Sequence, residues 1–90
     1  MITIFGKSSC NWCDRAQELC NQYGLKYEYK SLDDRFDAAH NLLELKQLSE
    51  EYALTIKTVP QIWWGKKYLG GFEELANEIE NTREFGQGGF

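Results

Sequence analysis

The chain has 90 residues, of which 42% are apolar, and a formal net charge of −4. This length predicts one domain, and the apolar content excludes an intrinsically disordered chain. No apolar run approaches the ~18 residues that span a bilayer, so we expect no membrane segment. The scattered basic residues argue against nucleic-acid binding. Because the first residues lack a signal-peptide pattern, we expect a cytoplasmic protein with reduced thiols.

Hydrophobic periodicity predicts seven elements in the order β-α-β-α-β-β-α. In chain order they are a strand at 1–5, a helix at 11–23, a strand at 26–30, a helix at 35–52, two strands at 62–64 and 67–69, and a helix at 72–80. The alternating first half favours a parallel strand pair, and a hairpin at Gly65-Lys66 adds an antiparallel pair. The predicted class is therefore α/β, with a small mixed four-stranded sheet flanked by helices.

Helix caps and inward faces follow from the same pattern. Ser9 is the predicted N-cap of the first helix, and Asp33 or Asp34 that of the second. The predicted inner residues of the three helices are Ala16, Leu19, Cys20 and Tyr23; Phe36, Ala39, Leu43, Leu45, Leu48 and Tyr52; and Leu75, Ala76 and Ile79. Residues 1–81 form the predicted domain, and the glycine-rich segment 82–90 is a predicted flexible tail.

Two thiols lie two residues apart in Cys10-Asn11-Trp12-Cys13, where the first strand is followed by the first helix. A helix N-terminus lowers a thiol pKa and favours the reactive thiolate. Lys7 adds a positive charge nearby, so Cys10 is the predicted nucleophile. Cys13, one turn into the helix, is the predicted resolving thiol, and both are expected to form a reducible disulfide.

A zinc half-site is the alternative interpretation of the cysteine pair. Zinc needs two further ligands, and only Cys20 and His40 remain as candidates. Cys20 falls on the apolar stripe of its helix, where a cysteine packs as a small hydrophobe. His40 fits an ordinary position on a helix face. Redox chemistry is therefore favoured over metal binding, and no metal is expected.

Two further segments carry chemical information. Thr58-Val59-Pro60 contains the only proline, just ahead of an apolar strand. A cis peptide bond there would leave the Val59 backbone able to pair with an extended peptide, whereas an ordinary trans proline is the simpler alternative. Gly70-Gly71 precedes the last helix, whose N-terminus suits a carboxylate, although a plain turn explains the same residues.

Together these segments resemble the glutaredoxin family. The resemblance rests on Lys7-Ser8-Ser9-Cys10-Asn11-Trp12-Cys13, Thr58-Val59-Pro60 and Gly70-Gly71-Phe72-Glu73-Glu74, and it covers about residues 1–80. It implies a thioredoxin-like fold and a thiol–disulfide oxidoreductase that uses glutathione as reductant. Disulfide-containing proteins would be its substrates, with ribonucleotide reductase as one of them. We also expect a monomer.

The resemblance further implies roles for individual residues. Cys10 would form the mixed disulfide with glutathione, Cys13 would resolve protein disulfides, and the Pro60 peptide bond would be cis. The residues implied to bind glutathione are Lys7, Trp12, Gln47, Thr58, Val59, Pro60, Gly71, Phe72 and Glu73. Lys7 and Gln47 would meet the glycine carboxylate. The backbone of Gly71 to Glu73 would hold the γ-glutamyl end.

The chain departs from the family pattern at two positions, and two other functions stay open. Asn11 follows the nucleophile where proline is common, and Glu74 replaces a common aspartate. With Asn11, a dimer could hold a [2Fe–2S] cluster through two Cys10 thiolates and two glutathiones. The third hypothesis is a thioredoxin-type reductant with its own reductase. Lys7, Gln47 and Gly70-Gly71 argue against it, because a glutathione site explains them.

Overall fold

The computed structural model describes the backbone of residues 1–88 and the side chains of residues 1–82. Its elements follow the predicted order: β1 Ile2–Gly6, α1 Asn11–Gln22, β2 Tyr27–Ser31, α2 Ala38–Glu51, β3 Gln61–Trp64, β4 Lys67–Gly70 and α3 Phe72–Gly88. Each predicted element is present. Among these helices, none has the length and apolar character needed to cross a membrane.

The four strands form one mixed sheet in the order β2-β1-β3-β4. β1 pairs with β2 in parallel, with Ile4 opposite Tyr29, and with β3 antiparallel, with Ile4 opposite Ile62. β4 completes the sheet through the predicted hairpin, in which Gly65 has φ +63°. Because β1 and β2 run parallel, their carboxyl ends meet at one edge of the sheet. The loop that carries Cys10 leaves the sheet at this edge.

Helices cover both faces of the sheet, as predicted. On one face, α1 and α3 pack on the sheet through Ile2, Ile4, Ala16, Cys20, Ile62, Leu75 and Ile79. On the other face, α2 packs on the sheet through Phe5, Leu32, Leu45 and Trp63, with Leu48 and Tyr52 beside them. Strand β1 contributes to both clusters because its side chains alternate between the two faces. The loop after β1 therefore starts from a strand that is packed on both faces.

The start of α2 differs from the prediction. The helix begins at Ala38, and neither Asp33 nor Asp34 caps it. Asp33 instead accepts hydrogen bonds from Ser8, and Asp34 Oδ1 accepts one from the Phe36 backbone N–H. Both carboxylates are therefore used in the turn before the helix.

The inner face of α2 also differs from the prediction. Asn41, Leu45, Leu48 and Tyr52 turn inward, whereas the predicted inner residues Phe36, Ala39 and Leu43 are exposed. Asn41 is buried because its side-chain amide donates to the Ser31 carbonyl at 2.7 Å. This polar anchor sets the rotation of the helix, and residues two positions from it then face away from the sheet.

Two helix ends are corrected as well. The N-cap of α1 is Cys10 rather than Ser9, because the Cys10 sulfur accepts from the helix and Ser9 has φ +57°. α3 does not end near Glu80 but continues to Gly88, into the predicted tail. Residues 89–90, the end of that tail, lie outside the described residues. The flexibility assigned to segment 82–90 stays a prediction.

Candidate active site

Cys10 and Cys13 form a disulfide at the N-terminus of α1, with their Cα atoms 5.2 Å apart. The Cys13 backbone N–H points at the Cys10 sulfur at 3.1 Å, and the Cys10 carbonyl accepts from the Asp14 N–H at 3.1 Å. Cys10 is half-buried, whereas Cys13 is fully buried. An incoming group therefore reaches Cys10 first. The N–H of the first helical turn would stabilise a Cys10 thiolate once the disulfide opens.

The loop between β1 and Cys10 is held by Tyr29 of β2 and by Asp33, which lies just after β2. The Asp33 carboxylate accepts from the Ser8 backbone N–H at 3.1 Å and from the Ser8 hydroxyl at 2.6 Å. These bonds lower the pKa of Asp33, with the Ser8 hydroxyl as the largest cause. The Tyr29 hydroxyl donates to the Lys7 carbonyl at 3.1 Å. Sequence reasoning missed Tyr29 and Asp33, although the predicted parallel pairing of their strand with β1 pointed to this edge.

The Thr58-Val59-Pro60 segment faces the cysteine pair. The Val59–Pro60 peptide bond is cis, as the family resemblance implied. The Val59 carbonyl oxygen lies 4.0 Å from the Cys10 sulfur. The side-chain amide of Gln61 donates to the Thr58 carbonyl at 2.8 Å and fixes the turn. The backbone carbonyl of Val59 thus lies directly beside the nucleophilic sulfur.

A cavity of about 390 Å³ opens on one side of this segment. It is lined by residues that the sequence analysis assigned to the site, namely Trp12, Thr58, Val59, Pro60, Gly71, Phe72 and Glu73, together with Glu74, Ala76 and Asn77. The rings of Trp12 and Phe72 lie 5.3 Å apart, and the Arg15 guanidinium lies 5.0 Å from the Trp12 ring. Trp12 remains 53% exposed and offers an open aromatic wall.

The N-terminus of α3 forms the far end of this first cavity. The Glu74 carboxylate accepts from the Gly71 backbone N–H at 2.8 Å. One helix-terminal N–H is therefore satisfied by a side chain of the helix itself, in the manner of a capping residue. Glu74, which departs from the family pattern, thus still forms a hydrogen bond at the start of α3, where the family resemblance placed the γ-glutamyl end of glutathione.

A second cavity, of about 450 Å³, opens on the other side of the same segment. Thr58 and Val59 line both cavities, and Lys7 and Lys57 supply positive charge to the second one. Lys57 was missed, although it directly precedes Thr58 in the sequence. Gln47 is exposed on α2 and lines neither cavity, so its assigned role stays a prediction.

The remaining thiol lies apart from the site. Cys20 is buried in the core between α1 and the sheet, as predicted, and burial raises its pKa to about 11. His40 is exposed on α2. Within the described part of the chain, no three histidine, cysteine or acidic side chains come together as a metal site. Because its pKa is about 11, Cys20 stays a neutral thiol at ordinary pH.

Comparison with known proteins agrees with this arrangement. The family model for glutaredoxin matches residues 2–69. Glutaredoxin-1 of Ectromelia virus is 29% identical over 94% of this chain and 76% of its own length, and glutaredoxin 1 of Escherichia coli is 28% identical over 88% and 92%. The structure of a buckwheat glutaredoxin–glutathione complex matches 90% of this chain and 69% of that one, with 26% identity and a TM-score of 0.68.

The fold and the paired cysteines define a thiol–disulfide oxidoreductase with a thioredoxin-like fold. The chain belongs to the glutaredoxin family. The predicted fold class and the resemblance stated from the sequence are both confirmed.

Proposed function

We propose that the protein is a glutathione-dependent oxidoreductase that reduces protein disulfides and glutathione mixed disulfides. The observation that carries this proposal is the position of the Cys10 sulfur, 4.0 Å from the carbonyl of Val59, which lines both cavities. A tripeptide with its cysteine at Cys10 would extend into a cavity on either side. Both volumes fall in the range of small-molecule sites, about 300–1,000 Å³.

The charges in the two cavities suit the two ends of glutathione. Lys7 and Lys57 would attract the glycine carboxylate in the second cavity. In the first cavity, the start of α3 favours the carboxylate of the γ-glutamyl end. Glu73 and Glu74 line that same cavity, and their charges suit the ammonium group of this end. The opposed charges would set the direction in which the peptide binds.

The chemistry follows from the different exposure of the two cysteines. With the pair reduced, the Cys10 thiolate attacks a substrate disulfide, forms a mixed disulfide and releases one substrate thiolate. Cys13 then attacks the Cys10 sulfur, expels the second substrate thiolate and closes the Cys10–Cys13 disulfide. Two glutathione molecules restore the dithiol and leave as oxidised glutathione. A glutathione mixed disulfide needs only Cys10, because a second glutathione can displace the first.

The test is NADPH oxidation coupled through glutathione reductase, with a small glutathione mixed disulfide or a protein disulfide as substrate. We expect Cys10→Ser to abolish both activities. Cys13→Ser should keep the first activity and lose the second. Cys20→Ala, which removes the buried core thiol, is the matched control and should keep both. Equal loss of both activities in Cys13→Ser would contradict the division of roles.

Wild-type protein that is reduced by a thioredoxin reductase but not by glutathione would refute glutathione dependence. The natural protein substrate, for which the family resemblance suggests ribonucleotide reductase, stays a prediction, as do the monomeric state and the cytoplasmic location. Analytical ultracentrifugation of the reduced protein with glutathione would check the monomer.

A further inference from the structure

Tyr29 lies beside the buried Cys13 and lines neither of the two cavities described above. A Cβ added to Gly6 would lie 2.8 Å from the Cys13 sulfur and 2.9 Å from Cζ of Tyr29, with the Tyr29 hydroxyl closer still. The sulfur and the phenol therefore border the same small space over the bare Cα of Gly6. Tyr29 reaches this position because it pairs with Ile4 in the parallel β1–β2 ladder. Glycine at position 6 keeps the space open.

The hydroxyl of Tyr29 has a different partner in the oxidised protein. It donates to the Lys7 carbonyl at 3.1 Å, while the Cys13 sulfur is bonded to Cys10. A disulfide sulfur carries no charge and is a weak hydrogen-bond acceptor, so it gains little from a nearby donor. When the disulfide opens, Cys13 becomes a thiolate or thiol whose residue is 0% exposed. A buried thiolate without a hydrogen-bond donor is strongly disfavoured.

We propose that Tyr29 is a positioning residue for Cys13: its hydroxyl hydrogen-bonds to the Cys13 sulfur when the disulfide opens, and so stabilises the reduced pair. The inference deepens the proposed function, since it rests on Cys13 as the resolving thiol. It assigns the phenol no contact with substrate. Its effect is on the equilibrium and on Cys13 as leaving group.

The step balances without a further reactant. An attacking thiolate forms a bond to the Cys10 sulfur while the Cys10–Cys13 bond breaks and its electron pair passes to Cys13. The attacking sulfur is oxidised to the disulfide level and Cys13 is reduced. The Tyr29 hydroxyl turns from the Lys7 carbonyl to the new thiolate and keeps its own proton.

The charged groups around the phenol favour its role as donor. Burial raises the pKa of Tyr29 above its ordinary 10.0, and Asp14 on α1 and Asp33 after β2 raise it further. Lys7, after β1, is the positive residue of the adjoining loop, and its carbonyl holds the hydroxyl in the oxidised protein. The phenol therefore keeps its proton throughout the neutral range.

Tyr29→Phe tests the proposal, with Tyr27→Phe as the matched control. Tyr27 lies on the same face of β2, and its hydroxyl bonds to the Gln17 side chain at 3.2 Å, away from the cysteines. The readout is the equilibrium of the Cys10–Cys13 pair with reduced and oxidised dithiothreitol at pH 7. We expect Tyr29→Phe to favour the disulfide about tenfold, equivalent to about 30 mV. The bond lost in the reduced form, to the Cys13 thiolate, is charge-assisted and therefore stronger than the bond to the Lys7 carbonyl that is lost in the oxidised form. Tyr27→Phe should match the wild type.

An equilibrium constant for Tyr29→Phe equal to that for Tyr27→Phe would overturn the proposal. Dithiothreitol replaces glutathione in this measurement, so a failure of glutathione-dependent turnover would refute the proposed function without affecting this result. A second readout is the thiolate absorbance of Cys13 against pH in a Cys10→Ser background. We expect Tyr29→Phe to raise the midpoint by about one pH unit. Cys20, whose pKa is about 11, stays outside the range below pH 9.

Discussion

Gly6→Ala is predicted to destabilise the protein, although alanine usually suits a strand better than glycine. Gly6 does not have a positive φ, so its backbone accepts alanine, and a more restricted unfolded chain would stabilise the variant by about 0.4–1 kcal/mol. The added Cβ, however, would lie 2.8 Å from the disulfide-bonded Cys13 sulfur. Overpacking costs about 1–3 kcal/mol, and close contacts with both Cys13 and Tyr29 place this variant in the upper half of that range, so the expected net loss is about 1–2 kcal/mol.

Urea unfolding of the oxidised protein measures this loss. With an m-value of about 1 kcal/mol/M, the midpoint should fall by about 1 M or more at an unchanged m-value. Gly71→Ala is the matched control. Its added Cβ would meet nothing closer than 3.4 Å, and Gly71 also lacks a positive φ. Gly71 is the N-cap of α3, where alanine is a poorer cap than glycine, and this cost offsets the gain from the more restricted unfolded chain. Its midpoint should therefore stay close to that of the wild type.

A double-mutant cycle locates the strain. The Tyr29 hydroxyl is the atom nearest to the added Cβ, so Tyr29→Phe should recover part of the loss in Gly6→Ala. The recovery should be partial, because the Cys13 sulfur stays in place. A Gly6→Ala protein as stable as Gly71→Ala, or a cycle with no coupling, would refute the packing described around Gly6.

Leu75→Ala should lose about 2–5 kcal/mol of unfolding free energy, since Leu75 is fully buried against the sheet; a loss below 1 kcal/mol by urea unfolding would contradict this packing. Phe36→Ser should change the free energy of unfolding by less than about 0.5 kcal/mol, because Phe36 is 83% exposed. A clear drop in the urea midpoint would indicate that Phe36 packs against the protein, as the sequence predicted. Asp33→Asn should lower the urea midpoint at pH 7. Because Ser8 lowers the pKa of Asp33 below its ordinary 3.8, this contact stabilises the protein above that pH and is lost as the pH falls through the folded pKa. The variant should match the wild type once the carboxyl is protonated, and a pH-independent difference would contradict the assignment.

Local sequence signals predicted the element order and the cysteine pair, and the resemblance to the glutaredoxin family implied the roles of the other two segments. The cysteine pair at a strand-to-helix junction, the Thr58-Val59-Pro60 segment and the adjacent glycines are short-range patterns. Each reports on backbone geometry within a few residues, and the fold brings these segments together around one sulfur. The hairpin at Gly65 was predictable for the same reason, since the turn requires a positive φ that glycine readily adopts.

Helix rotation and helix ends were less predictable, because they depend on distant partners. The inward face of α2 is set by a bond from the Asn41 side chain to the Ser31 carbonyl, which hydrophobic periodicity does not contain. Asp33 and Asp34 fit the sequence pattern of helix caps, yet the Asp33 carboxylate accepts a hydrogen bond from Ser8 in the loop before Cys10. Cys10 itself took the capping role assigned to Ser9.

The sequence by itself determined the order of the elements and the position of the thiol pair at a strand-to-helix junction, because hydrophobic periodicity and short motifs report on local backbone structure. Only the tertiary structure decided which residues surround that pair. Tyr29 and Lys57 reach the site through strand pairing and loop packing, while Gln47 lines neither cavity. The physical reason is that a motif fixes its own backbone, whereas its surroundings are fixed by contacts between residues far apart in the chain.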